Sequence, residues 1–265
     1  MKSLKEVFEQ FIGRTIEELK TDSRFIGLAI AGSWVRDEID EFSDLDLVIA
    51  CESDTVPDIR EMQSFASKLG MIVSSFSGEH VGEPSLLICL YGDPLVHVDL
   101  KFSTSAELMK RPYDPAVVWE RGTAVSDIIA EVQATHPAPN AQWIEDRFWT
   151  WIHYGALRIG RGELFDLVGF LSFLREQVLG PIALHAAGFP PFGARKIEQY
   201  IPEFALRLEK TIPTYDLLSC YSALLTTVEI YRDLRDDLQE SVVPNTNAES
   251  ESMQFLNRIA SECIT

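Results

Sequence analysis

The spacing of apolar and polar residues changes along this chain, and each spacing marks a different kind of element. In residues 3–20, Leu4, Val7, Phe8, Phe11, Ile12, Ile16 and Leu19 recur at helical intervals, with Ser3 and Glu6 placed as a capping pair. A helix packed by one face is predicted there. Residues 25–31 form an almost unbroken apolar run, as in a strand buried on both faces, and Gly32 lets the chain turn sharply after it. Ser33 is then expected to open a helix. Along the strand predicted to follow, Asp44, Asp46 and Val48 point one way while Leu45, Leu47 and Ile49 point the other.

A second helix is predicted to open within residues 54–57, Asp54 included, and to run to Leu69, stopping at Gly70. Residues 71–76 read as a strand and residues 77–84 as a mobile loop containing Glu79 and His80. Residues 85–91 and 95–102 are two strands joined by Gly92-Asp93-Pro94, a hairpin signal. On the second of them Leu95, His97, Asp99 and Lys101 share a face opposite Val96, Val98, Leu100 and Phe102. Asp99 is thus an acid placed mid-strand among apolar neighbours, an expensive position for an idle carboxylate. A short edge strand is expected within residues 117–125.

The proline-bearing stretch 135–140 has the composition of a linker, and beyond it the period becomes helical throughout. Helices are predicted over 141–160, 163–187 with a break at Gly180-Pro181, 195–208 and 215–238, then a flexible polar stretch over 239–251 and a last short helix. Two domains follow, 1–135 and 141–265. The fold class is α+β: a β-sheet with flanking helices, then a helical bundle. Trp143, Phe148, Trp149, Trp151, Tyr154 and Phe165 concentrate in the second part. They are read as core packing before any role in stacking on a base or a sugar.

Composition narrows the partners. With 23 Lys plus Arg against 41 Asp plus Glu, the net charge of −18 repels phosphate backbones, so a nucleic-acid partner is not expected. The same excess favours cationic small molecules, although solubility alone accounts for acidity equally well. Cys51, Cys89, Cys220 and Cys263 are scattered with no Cys-x-x-Cys pair, as expected of reduced and mostly buried thiols. No apolar run is read as long enough to span a bilayer, and a cytoplasmic location is the default expectation.

The chemistry concentrates between Gly32 and Leu47. Backbone N–H groups and a hydroxyl at a helix start suit phosphate, and two carboxylates on one strand face repel unless something neutralises them. A divalent cation such as Mg²⁺, held by one or two carboxylates together with substrate phosphates, meets that need. Asp-x-Asp alone is as well explained by an acidic strand end facing water. Gly32-Ser33 followed by Ser43-Asp44-Leu45-Asp46-Leu47 is more specific.

That pattern, with Asp99 as a later carboxylate in a strand, resembles the nucleotidyltransferase superfamily with the DNA polymerase β-like fold. The length and the helical second half look most like the aminoglycoside adenylyltransferase group, which moves AMP from ATP to a hydroxyl of an antibiotic. One departure is visible: many relatives carry a glycine soon after the Gly-Ser pair, where this chain has Trp34-Val35-Arg36-Asp37-Glu38.

The resemblance implies an N-terminal mixed sheet and a Mg²⁺-dependent transfer with ATP as co-substrate and release of pyrophosphate. It makes Asp44, Asp46 and Asp99 the metal-binding and catalytic acids, with Asp99 a second-metal ligand or a general base. Gly32, Ser33, Arg36 and Ser43 would surround the phosphates. Positive charge is scarce around them, so the second domain is expected to supply it, Lys196 first, then Arg158 and Arg161, with Arg175 and Arg195 as further candidates. Surface salt bridges account for any one of these cations as well. The acceptor would be a small hydroxylated compound, cationic on the charge argument, with Glu145 and Glu163 as exploratory contacts. The other readings are a transferase acting on a protein or RNA end and a non-catalytic nucleotide-binding or antitoxin-like relative.

Overall fold

Ser3 and Glu6 do cap the first helix. In α1 (Leu4–Lys20) the Ser3 hydroxyl accepts the Glu6 N–H while the Glu6 carboxylate accepts the Ser3 N–H. The computed structural model describes residues 3–52, 55–237 and 242–264. The chain divides into two compact units, Met1–Thr135 and His136–Thr265.

The first unit is built on a six-stranded mixed sheet. Its strands are β1 (Phe25–Ile30), β2 (Leu45–Cys51), β3 (Ile72–Gly78), β4 (Glu83–Tyr91), β5 (Val96–Ser103) and β6 (Ala116–Glu120), in the spatial order β3-β4-β5-β2-β1-β6. β2 and β5 run parallel and the other neighbours antiparallel. One face, with Leu28, Ile30, Leu47, Ile49, Leu87, Val98 and Leu100, is buried in one core with residues of α1 and α2 (Ile59–Ser67).

Among the described residues of this unit, α3 (Ser105–Met109) and α4 (Ala124–Glu131) cover one end of the other face, where they close a small cluster over Val48, Ala50 and Val117. Gly27 allows α4 to approach β1, because a Cβ at that position would lie 2.3 Å from Val125 Cγ2. The α+β expectation is met, and so is the strand alternation that puts Asp46 and Asp99 on the face left open.

Several boundaries differ from expectation. The stretch read as a mobile loop, 77–84, belongs mostly to a hairpin: β3 runs through Gly78, a single 3₁₀ turn spans Glu79–Val81, and β4 begins at Glu83. Ladder pairing with β4 organises those polar residues. Asp54, placed at the opening of the second helix, lies outside the described residues; α2 starts at Ile59, where the Asp58 carboxylate accepts the N–H groups of Arg60 and Glu61. The edge strand ends at Glu120, whose carboxylate accepts the N–H groups of Val125 and Ser126 at the start of α4.

In the second unit α5 (Ala141–Arg161), α6 (Leu164–Leu174), α10 (Leu217–Asp237) and α11 (Thr246–Cys263) enclose a core that includes Phe148, Trp149, Leu171, Leu224, Tyr231 and Leu256. The break expected at Gly180-Pro181 is a π-helical turn over Arg175–Leu179, in which Gly180 N–H donates to the Arg175 carbonyl. This wider turn takes up the distortion that a proline imposes, and the chain continues into α7 (Gly180–Ala186). The single helix expected over 195–208 is divided by Pro202 into α8 (Ile197–Tyr200) and α9 (Pro202–Glu209).

Of the polar stretch 239–251, residues 239–241 lie outside the described residues; Asn245 caps α11, which at 18 residues is not short. The expectation about membrane spans is also corrected. Leu164–Ala186 is long and apolar enough to cross a bilayer by length and composition, with half of its apolar window buried inside the protein. Leu167, Leu171, Leu174, Val178, Leu179 and Leu184 of this stretch are fully buried core residues. Cys51, Cys89, Cys220 and Cys263 are free thiols, the first three buried, as expected.

Candidate active site

Gly32 takes a positive φ of 65°, and a Cβ there would stand 2.0 Å from Oδ2 of Asp46. Only glycine lets the turn after β1 close onto that carboxylate. Ala31 N–H also donates to the Asp46 carbonyl at 2.9 Å, so the turn and the acidic strand are one construction. Ser33 does not open a helix. Residues 32–37 form successive turns, with Asp37 N–H donating to Trp34 O and Glu38 N–H to Ser33 O. Trp34 and Ile39 are the residues of this segment packed on the core. Five positions apart, they do not share a helical face, and Asp37 at φ 53° leaves helical geometry altogether. The Gly-Ser segment therefore offers turn N–H groups and a hydroxyl, without a helix dipole behind them.

Asp46 and Asp99 face each other across the parallel pair β2 and β5. Both are part-buried on the open face, and Asp44, immediately before β2, joins them by strand alternation. Burial pushes the Asp99 carboxyl above the usual carboxylate range; His97 opposes this by its charge and its hydrogen bond, and the Asp44 charge adds to the rise. Nε2 of His97 lies 2.8 Å from Oδ1 of Asp99, which fixes that carboxylate on its strand. Lys101 pairs instead with Glu83. Of the two polar residues that share its strand face, His97 thus contacts Asp99 while Lys101 is paired with Glu83.

Among the described residues no three His, Cys, Asp or Glu side chains are already closed around an ion-sized position. The donor chemistry nevertheless fits a small divalent cation: hard carboxylate oxygens abreast on rigid strands, one of them raised by burial with the Asp44 charge adding to the rise.

Two of the residues expected around the phosphates, Arg36 and Ser43, are engaged within the first unit. Nε of Arg36 pairs with Glu38 at 2.8 Å. The Ser43 hydroxyl donates to Asp40 Oδ1 and accepts the Asp40 N–H, both at 2.9 Å, so it shapes the loop that delivers Asp44.

No family model matches the chain, and no curated protein matches it significantly. Among solved structures, an aminoglycoside 6-adenyltransferase from Bacillus subtilis is similar at a TM-score of 0.42 and 14% identity, over 98% of this chain and 99% of that one. A nucleotidyltransferase-like protein from Exiguobacterium sibiricum is similar at 0.41 and 12%, over 97% of this chain and 81% of that one. A spectinomycin adenyltransferase from Enterococcus faecialis is similar at 0.33 and 11%, over 97% and 99%.

In the second unit Arg158 pairs with Asp166 and lies over the Phe170 ring, Arg161 is 3.9 Å from Glu163, and Arg175 donates to the Thr211 carbonyl. Arg195 is exposed, and Lys196 starts α8 at a positive φ of 58°. Glu145 is withdrawn as an acceptor contact. It is fully buried and accepts hydrogen bonds from Trp149 Nε1, Tyr231 Oη and Asn245 N–H, with Arg235 3.5 Å away. Its carboxylate joins α5, α10 and the cap of α11. The aromatic cluster divides as well: Phe148 and Trp149 are core, whereas Trp143, Tyr154 and Phe165 are exposed. Alternation alone marked His97 as sharing a face with Asp99, but its contact with that residue is decided by rotamers, which no sequence period encodes.

Proposed function

We propose that this chain is a Mg²⁺-dependent nucleotidyltransferase that moves AMP from ATP to a hydroxyl of a small acceptor and releases pyrophosphate. The observation that carries this is the acid row itself: Asp46 and Asp99 abreast, the Asp44 charge felt at Asp99, and Gly32 closed against Asp46. The quoted resemblance of Gly32-Ser33 and Ser43 through Leu47 supports the same reading.

In such a transfer the acceptor oxygen bonds to the α-phosphorus as the bond to pyrophosphate breaks. Asp44, Asp46 and Asp99 would hold the Mg²⁺, which supplies positive charge to the phosphate oxygens as negative charge develops. The turn N–H groups at Gly32 and the Ser33 hydroxyl bind the terminal phosphates. Asp99, oriented by His97 through Oδ1 and raised in proton affinity by burial, takes the acceptor's hydroxyl proton. Lys196 is proposed as a ligand of the triphosphate; unchanged apparent affinity for MgATP in Lys196→Ala removes it from the site.

Calorimetric titration with ATP tests the core reading without knowledge of the acceptor. Binding is expected to require Mg²⁺ and to be lost in Asp46→Asn; Mg²⁺-independent binding, or unaltered binding in the variant, overturns the proposal. A panel of hydroxylated acceptors with MgATP, aminoglycosides among them, scored for pyrophosphate release, then identifies the acceptor.

A further inference from the structure

Asp99 has Asp46 on one side and an apolar strip on the other. In the ladder between β4 and β5, Ile88 is paired with Asp99, Leu90 with His97 and Leu86 with Lys101. Paired residues share a sheet face, so Leu86, Ile88 and Leu90 stand on the open face beside the acid. Beyond them Phe76 of β3 is paired with Ile88, and its ring, half exposed, meets the His80 ring at 5.7 Å between centroids. Asp46, Asp99, Ile88 and Phe76 therefore form one row across four strands.

The strip has two properties that a water-facing sheet lacks. Its alternate positions are aliphatic where contact with solvent favours polar residues. It is also poor in charge: residues 71–78 and 85–92 contain no Asp, Glu, Lys or Arg, and the one charged residue of β4, Glu83, is paired with Lys101. Among the described residues, α3 and α4 cluster over Ile26, Val48, Ala50 and Val117 of the open face. Strands stand about 4.8 Å apart, so Ile88 lies roughly one strand spacing and Phe76 roughly 10 Å from the acid.

We infer that the Leu86–Ile88–Leu90 strip and Phe76 are the acceptor subsite, and that the acceptor is an alcohol whose reacting hydroxyl is joined to an uncharged apolar ring. The hydroxyl is presented at Asp99, and the ring lies on Ile88 with its far edge on Phe76. On these two strands a polycationic sugar finds only Glu83, already paired with Lys101, as counter-charge, so the chain's overall acidity does not select the acceptor here. The inference rests on the nucleotidyl-transfer reading.

The probe is 2-naphthol, an uncharged hydroxylated ring pair, titrated into the full chain and followed by its own fluorescence, with MgATP binding measured by calorimetry on the same samples. Saturable binding is expected. Phe76→Ser and Ile88→Ser should each weaken it roughly tenfold, the loss of one apolar contact, while Phe76→Trp and Leu206→Ser, the latter at an exposed position of α9 in the other unit, leave it unchanged. Unfolding midpoints matching the parent chain confirm that the variants are folded. Absence of saturable binding, binding indifferent to both serine substitutions, or displacement of naphthol by the cationic ring 2-deoxystreptamine overturns the inference. If naphthol fails while Mg²⁺-dependent ATP binding persists, only the subsite falls; if ATP binding is absent from the parent chain, the nucleotidyl-transfer reading falls.

Discussion

Asp46 on β2 and Asp99 on β5 are direct neighbours across the only parallel strand pair described in the sheet. More than fifty residues of chain separate two carboxylates that the ladder brings abreast, and burial together with repulsion from the Asp44 charge makes ionisation of Asp99 costly. Asp99→Asn is therefore expected to keep the fold and lose turnover by roughly 10²–10⁴-fold, the range typical of removing a positioned acid–base group, and Asp46→Asn to keep the fold and lose turnover together with MgATP binding. Pyrophosphate release beside thermal unfolding separates the two effects; a variant with parental turnover removes that residue from the mechanism.

The same repulsion predicts a stability effect. Mg²⁺ that binds only the folded chain stabilises it by mass action, by about 2.7 kcal/mol at a hundredfold excess over its Kd, and so raises the unfolding midpoint. Calorimetry with and without Mg²⁺ should show this for the parent chain and not for Asp46→Asn. An equal rise in both places the ion elsewhere.

Gly32→Ala combines a strained φ with a Cβ 2.0 Å from Asp46 Oδ2. The left-handed conformation alone costs roughly 1–2 kcal/mol, and the contact must in addition displace the carboxylate. We expect a lower unfolding midpoint and an apparent affinity for MgATP reduced well beyond that of Gly13→Ala, a position where nothing lies within 4 Å of an added Cβ.

Glu145 predicts the opposite pattern, loss of stability without loss of chemistry. Glu145→Ala leaves Tyr231 Oη, Trp149 Nε1 and Asn245 N–H without their acceptor in a buried position and is expected to cost roughly 3 kcal/mol or more. Urea denaturation measures it. A cost under about 1 kcal/mol would mean that water enters and accepts the hydrogen bonds that Glu145 held.

Arg24 gives a pH-dependent effect. Its hydrogen bond holds the Asp22 carboxyl below the usual carboxylate range, against the opposing effect of burial. A carboxyl depressed in the folded state adds stability above its unfolded pKa and loses it as pH falls through the folded one. The pair is largely solvated, so the contribution is under about 1 kcal/mol. Arg24→Gln should lower stability at neutral pH and not below the folded pKa of Asp22; an equal loss at both assigns the effect to the Arg24 contact with the Phe25 ring.

The α1 cap, the buried β1, the face alternation of β2 and β5, and the long helices of the second unit were all legible in the sequence. Each is a local period or a local capping pair, and such signals survive without knowledge of partners. The Gly-Ser turn was misread as a helix start because Ser33 has the composition of a cap while Trp34 and Ile39, which pack on the core, do not share a helical face. Glu145 was misread as a ligand contact because nothing local distinguishes a buried, fully bonded carboxylate from an exposed one.

By itself, the sequence determined which residues are the candidates for the chemistry: Gly32, Asp44, Asp46 and Asp99 stand out by spacing and by strand period. Tertiary structure alone decided that Asp46 and Asp99 are abreast, that Gly32 closes on Asp46, and that Ile88 and Phe76 continue the row. The reason is physical. Face and period are properties of one strand, whereas register between strands distant in the chain is set by the packing of the whole sheet.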